Sequence, residues 1–243
     1  MFGAKVVLIS NATGYVGPAA ISRLVEDGAQ IVAQSREFAD AATRRAFADE
    51  HPAAVLIESE APHDLVHAAI STFGQLDCVV SNDDAPAIKA AVVDADLDVF
   101  RAGIEEMLVR PFALAKAAIP VMKAQGGGRI VLITSAAPLR GLTNYCMYAA
   151  ARGGANALTL SLARELAAYN IIVNAIAPNY VANPTYFPET LLADASARAK
   201  IERNIPLGRL GRSAEIGALV SFYAIGDCGF VTGHVTPVAG GWA

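Results

Sequence analysis

Short unbroken apolar runs alternate along this chain with longer segments in which apolar residues return every three or four positions. The short runs, at residues 5–10, 30–34, 54–58, 78–81, 129–134, 171–176 and 234–237, lack the alternation of a strand with one wet face, so they read as strands covered on both sides. The longer segments, near 18–27, 39–50, 62–73, 97–125, 144–169 and 214–225, predict helices. Strand and helix in turn make βαβ units with right-handed crossovers and parallel strands. The expectation is a doubly wound α/β fold, a seven-stranded parallel sheet with helices on both faces. A single domain over residues 1–243 is expected, because no linker, repeat or low-complexity tract interrupts the rhythm.

One segment breaks that rhythm. Residues 178–206 are rich in Pro, Asn and aromatics and directly follow a predicted strand. Ligands in open α/β sheets sit beyond the carboxyl ends of strands, so this excursion predicts a substrate pocket or lid, with an ordinary surface loop as the alternative. Within 144–169 the run AAARGGANAL offers a small-residue helix face, suited either to a subunit contact or to close packing inside the chain.

Composition narrows the class. Hydrophobic residues at 54% and charged residues at 17% describe a well-packed globular protein. A net charge of -4 gives no basic footprint for nucleic acid or an anionic membrane. Cys78, Cys146 and Cys228 are odd in number and far apart, which predicts buried thiols in a reducing compartment and neither a disulfide framework nor a metal site. The strand-like run at Lys5 has no cationic leader before it, and the longest uncharged stretch, 167–188, is broken by Asn170, Asn174, Pro178, Asn179, Asn183 and Pro184. A soluble cytoplasmic protein is expected.

Two stretches carry chemistry. LISNATGYVGPAA, residues 8–20, has the strand, small-residue turn and helix that open a Rossmann-like nucleotide site, yet Tyr15 stands where a pyrophosphate leaves almost no room for a side chain. In ITSAAPLRGLTNYCMYAAARGGA, residues 133–155, Ser135 closes a predicted strand while Tyr148 and Arg152 share one helix face four residues apart. A phenol with a reference pKa of about 10 is a poor base at neutral pH, but a cation within roughly 4–6 Å favours the phenolate. Arg152 supplies a permanent charge, and Ser135 a hydrogen bond to a substrate oxygen. An isolated Tyr and Arg at this spacing more often decorate a helix, so the neighbouring motifs decide.

Those motifs agree. The strand–helix order, a Tyr148 placed 13 positions after Ser135, and the GRL and GG segments at 208–210 and 240–241 resemble the short-chain dehydrogenase/reductase superfamily over the whole chain. Three departures concern its cofactor. The superfamily's TGxxxGxG turn falls on Asn11, Tyr15 and Gly17, and only Gly17 keeps the glycine; its NNAG segment reads SNDD, with Asp83 and Asp84; and its catalytic Lys is Arg152, with Met107 where its structural Asn belongs. This combination is similar to the halohydrin dehalogenase family, whose turn reads T-x4-F/Y-x-G, here Ser10, Tyr15 and Gly17, and whose triad is Ser-Tyr-Arg. RPFAL at 110–114, APNY at 177–180 and YFP at 186–188 extend the likeness.

The resemblance implies a cofactor-independent carbon–halide lyase. Tyr148 takes the proton of a vicinal hydroxyl held by Ser135, and the alkoxide displaces halide to close an epoxide; in reverse, epoxides are opened by small anions such as azide, cyanide or nitrite. It places a halide pocket against Tyr15, Pro178, Asn179, Tyr180, Val181, Tyr186 and Phe187. It gives Asp83 the orienting of Arg152 and a part in passing the proton taken by Tyr148 to water, the alternative being a polar residue closing the strand–loop junction. It implies no redox cofactor, no metal and a homotetramer. Ser135 has no evident His and Asp partners for a hydrolase triad, and His51, His63, His67 and His234 lie outside the site. Trp242 either reaches a pocket, of this chain or a neighbour's, or packs on the sheet. The rival readings are an atypical NADP-dependent reductase, in which Arg36 would meet a ribose phosphate, and a catalytically silent protein that keeps the fold.

Overall fold

A computed structural model describes residues 4–183 and 186–243; Pro184 and Thr185, inside the predicted excursion, lie outside the described residues. The strands are β1 Val6–Ile9, β2 Gln30–Gln34, β3 Ala54–Ile57, β4 Cys78–Ser81, β5 Gly128–Ile133, β6 Ile171–Pro178 and β7 Val235–Val238. They form one parallel seven-stranded sheet, as the apolar runs predict, and the structure sets its order as β3-β2-β1-β4-β5-β6-β7. The order reverses between β1 and β4, where Ile9 pairs with Val80. Crossovers leave these two strands toward opposite sides, so a crevice opens beyond their carboxyl ends.

The helices are α1 Gly17–Glu26, α2 Ala41–Glu50, α3 Pro62–Phe73, α4 Leu97–Ile104, α5 Arg110–Ala124, α6 Ala137–Arg140, α7 Cys146–Leu166, α8 Glu189–Ala193, α9 Ala195–Glu202 and α10 Ser213–Ile225. The pleat of β1 divides the core. Val7 and Ile9 pack with Ile21 and Leu24 of α1 and Ile216 and Val220 of α10. Val6 and Leu8 pack on the other face with Leu65 of α3, Leu114 and Met122 of α5, and Leu166 of α7. All of these lie away from water, each contributing about 1.5–3 kcal/mol.

The predicted helix over 97–125 is two helices joined by a π turn, Glu105–Val109, closed by the Arg110 amide donating to the Glu105 carbonyl. That wider turn buries Met107 and sets Leu108 against α7, where a Cβ on Gly154 would come within 2.7 Å of the Leu108 side chain. Gly154 therefore serves close helix packing inside the chain. The thiols differ from expectation in one case: Cys78 and Cys228 are buried, whereas Cys146, at the first turn of α7, is exposed. No helix among the described residues is long and apolar enough to cross a membrane.

Helix α10 also anchors the excursion. Glu215, in its first turn, accepts from both terminal nitrogens of Arg209 and from the Arg212 amide. The two preceding links pair Gly211 with the Tyr180 carbonyl at 2.9 Å and with the Ala182 amide at 2.9 Å. The hydrogen bonds from Arg209 and the Arg212 amide hold the Glu215 carboxyl down at about 2. A depressed folded pKa gives stability that is full above the unfolded value, about 4.3, and is lost as pH falls through the folded one. A Glu215→Gln variant is expected to be less stable than the parent at pH 7, the gap closing between pH 5 and 2 in urea titrations; a gap constant with pH would contradict this.

Candidate active site

The turn after β1 keeps left-handed backbone at the two glycine positions that Asn11 and Tyr15 now occupy. Asn11 and Tyr15 both sit at positive φ, 47° and 45°. Asparagine tolerates this region; for a bulky aromatic it is strained, at a cost of about 1–3 kcal/mol. Gly17 remains because a Cβ there would lie 2.2 Å from the Ala12 carbonyl oxygen.

Neighbouring strands over-determine the turn. Asn82, just after β4, donates to the carbonyls of Asn11 and Gly14 at 2.9 and 2.8 Å, and Asn11 donates back to the Asn82 carbonyl at 3.1 Å. Gln34 at the end of β2 accepts from the Asn11 amide with its side chain and from the Ala12 amide with its backbone. These hydrogen bonds fix the backbone leading into Tyr15. Burial, then the nearby Tyr148, raises the Tyr15 pKa against the opposing pull of Arg152, so Tyr15 remains a neutral phenol.

The triad comes together from two elements. Ser135 follows β5, and its hydroxyl accepts from the Ala137 amide at 3.1 Å, which leaves its proton for another acceptor. Tyr148 and Arg152 occupy successive turns of α7; Asn156, one turn on, donates to the Ser135 carbonyl at 3.3 Å and ties the helix to the strand end. Arg152 is only 2% exposed. Its Nη1 donates to the backbone carbonyls of Asp83 and Ile133, each at 3.0 Å, and its Nη2 to the Asp84 carboxylate at 2.6 Å. Its Cζ stands 5.6 Å from the Tyr148 ring centre. Burial alone would lower the guanidinium pKa, but Tyr148 and Asp84 outweigh it, and Arg152 stays charged.

The sequence assignment of Asp83 is corrected here. Its carboxylate does not meet Arg152: it accepts from Ser10 at 2.8 Å and Ser81 at 2.5 Å and lies 3.6 Å from Arg110. Only its carbonyl reaches Arg152. Asp84, which carried no role in the sequence reading, holds the ion pair.

Ser135, Tyr148, Arg152 and Asp84 open on a cavity of about 250 Å³. All seven predicted wall residues, Tyr15, Pro178, Asn179, Tyr180, Val181, Tyr186 and Phe187, line it. Tyr180 is a second strained aromatic, at φ 54°, its amide held by its neighbour Asn179. Its ring packs against Phe187 and, edge-on at 5.8 Å, against Trp242, which is buried beside it. Trp242 thus supports the pocket wall of its own chain. Tyr186 accepts from the Ala87 amide at 3.2 Å; burial, and then Asp84, raises its pKa. Tyr145 and Asn183 also line the cavity and were missed in the sequence. Tyr145 was findable, because it lies one helical turn before Tyr148. None of the four histidines reaches this cavity.

Tyr15 occupies a glycine position of the turn, and Arg36 is taken by Glu106, at 2.9 Å, and Glu60, at 3.3 Å. Arg110 joins the same acidic pair. A small cavity beside the turn is lined by Asp83, Asp84, Glu37 and Glu106 together with Arg36 and Arg110.

Over residues 13–243 the chain matches the family described as enoyl-(acyl carrier protein) reductase. Dehydrogenase/reductase SDR family member 4 of Oryctolagus cuniculus is 31% identical across 98% of this chain and 93% of its own length. Among solved structures, one described as a dehalogenation enzyme superposes with a TM-score of 0.95 at 41% identity, covering 99% of both chains. A halohydrin dehalogenase bound to ethyl (2S)-oxiran-2-ylacetate superposes with a TM-score of 0.92 at 34% identity, covering 98% of this chain and 96% of its own.

Proposed function

This chain belongs to the short-chain dehydrogenase/reductase superfamily, and from that premise we propose that it is a member whose nucleotide site has become an anion site, a cofactor-independent halohydrin dehalogenase. The observation that carries the reading is Tyr15, held at positive φ in the phosphate turn with its ring in the same cavity as Ser135 and Tyr148.

Tyr148, as phenolate beside the Arg152 cation, removes the proton of a vicinal hydroxyl while Ser135 donates a hydrogen bond to that oxygen. The oxygen's electron pair forms a bond to the adjacent carbon as the carbon–halogen bond breaks, giving an epoxide, a halide ion and neutral Tyr148. Tyr15, Asn179 and Tyr180 supply an aromatic and amide wall for the departing anion. Polar donors without a dedicated cation suit a large, weakly hydrated ion that must also leave. In the reverse direction Tyr148 protonates the epoxide oxygen while a small anion attacks carbon.

The dehydrogenase relatives favour the rival reading, an NADP-dependent reductase, and two measurements separate them. Incubation with a simple vicinal bromo-alcohol is expected to release bromide with no nicotinamide present. Titration with NADPH, followed by nicotinamide fluorescence, is expected to show no binding in the micromolar range; saturable micromolar binding would overturn the reading of Tyr15.

Tyr15→Gly separates them further. Removing the ring takes away one wall of the anion site, and bromide release is expected to fall about tenfold through loss of leaving-group placement. NADPH binding is not expected to return, because the Arg36 clasp and Asp84 are unchanged. Full activity in this variant would show that the ring does not place the anion.

A further inference from the structure

Asp84 sets a charge balance that the triad alone does not have. Arg152 is buried, permanently charged and faces the reaction cavity, so by itself it would both favour the phenolate of Tyr148 and retain any halide formed beside it. The Asp84 carboxylate, 2.6 Å from Nη2, lines that same cavity. The Asp83 carboxylate is kept out of the cavity by Ser10 and Ser81, so it does not duplicate the role.

Resting on the dehalogenase reading, we infer that Asp84 is a positioning residue that neutralises Arg152, so that the site forms its phenolate without trapping the anionic product. Before reaction the guanidinium and carboxylate sum to zero and the phenolate carries the single negative charge. After reaction the phenolate is neutral and the halide carries that charge, still against a neutral pair. Without the carboxylate, the same halide leaves from beside an unopposed cation, and attraction in a site of low dielectric makes that departure slow. Asp84 also borders the small polar cavity beside the turn, so its charge is felt across the wall between the two cavities.

The titratable and hydroxyl groups that share the cavity with Tyr148 are Arg152 on its own helix, Tyr145 just before that helix, Tyr15 from the turn after β1, Ser135 just after β5, Asp84 from the loop after β4, and Tyr180 and Tyr186 from the excursion. Burial, followed by the neighbouring Tyr148 at Tyr15 and by Asp84 at Tyr186, keeps Tyr15 and Tyr186 neutral. The carboxylate is therefore the negative group whose removal changes what Tyr148 feels.

The test uses Asp84→Asn, with Asp84→Ala as a second variant should the first not fold and Asp84→Glu as the charge-conserving control. Two readouts are taken: the pH profile of kcat for bromide release, and bromide affinity by quenching of Trp242, the single tryptophan, which packs on the cavity wall through Tyr180. The expected result is a rising limb displaced about one pH unit downward and bromide bound about tenfold tighter, each about 1.4 kcal/mol. Asp84→Glu returns both toward the parent. A uniform loss of kcat with an unmoved pH profile and unchanged bromide affinity would overturn the inference and leave Asp84 a structural anchor. A parent that releases no bromide from halohydrins would overturn the dehalogenase reading instead, while tighter bromide binding by the variant would still support the charge role.

Discussion

Replacing Tyr148 by Phe is expected to lower bromide release by about 10²–10⁴-fold, the usual contribution of a positioned acid or base. The phenol oxygen is the only atom removed, and the ring that faces Arg152 at 5.6 Å remains. The effect should therefore fall on kcat. Thermal unfolding is expected to stay close to the parent, and bromide should still quench Trp242, because Tyr15, Asn179 and Tyr180 are untouched. Ser135→Ala should also reduce turnover, and the double variant should lose much less than the product of the two single losses, since both groups act on one substrate oxygen. Turnover retained in Tyr148→Phe would show that another group removes the proton.

Arg152→Ala is expected to damage both folding and activity. Three partners are left behind: the Asp84 carboxylate and the carbonyls of Asp83 and Ile133. Breaking a buried pair by removing one partner costs about 3–5 kcal/mol. For a chain of this size that lowers the melting temperature by on the order of 10 °C. Arg152→Lys restores the superfamily's usual residue and its charge, but an ammonium cannot present the planar fork that satisfies a carboxylate and two carbonyls at once. It should fall between the parent and the Ala variant in stability, read by calorimetry, and it should not gain NADPH binding. A melting temperature equal to the parent's in Arg152→Ala would mean that the ion pair with Asp84 is not a structural tie.

The chemistry that could be read in the sequence was carried by fixed local geometry. Four residues along a helix is one turn, so Tyr148 and Arg152 had to share a face. Likewise, a tyrosine and an asparagine at the turn's glycine positions had to alter what the turn could hold. The carboxylate partner of Arg152 was not legible. Asp83 and Asp84 are adjacent in the loop after β4, and their carboxylates go to different partners. Which one faces α7 depends on how β4 sits between β1 and β5, and in the folded chain Ser10 and Ser81 claim the first. The brace of the turn by Asn82 and Gln34 was hidden for a related reason, because its partners lie 71 and 23 residues away.

The sequence by itself determined the layers. Apolar runs too short and too continuous for anything but doubly covered strands, separated by helical periods, make a parallel sheet with helices on both faces, while the strand order was set by the folded chain. It also determined that the phosphate turn had lost two of its three glycines and that Ser135, Tyr148 and Arg152 belonged to one strand end and one helix face. Only the tertiary structure decided that Tyr15 keeps the glycine's left-handed backbone. That conformation costs energy locally and persists because Asn82 and Gln34, from other strands, hold the turn closed. It decided too where the helix predicted over 97–125 opens into a π turn, and that Asp84 completes the charge balance at Arg152. Each of these depends on which groups from distant strands face one another, and neither periodicity nor propensity specifies that.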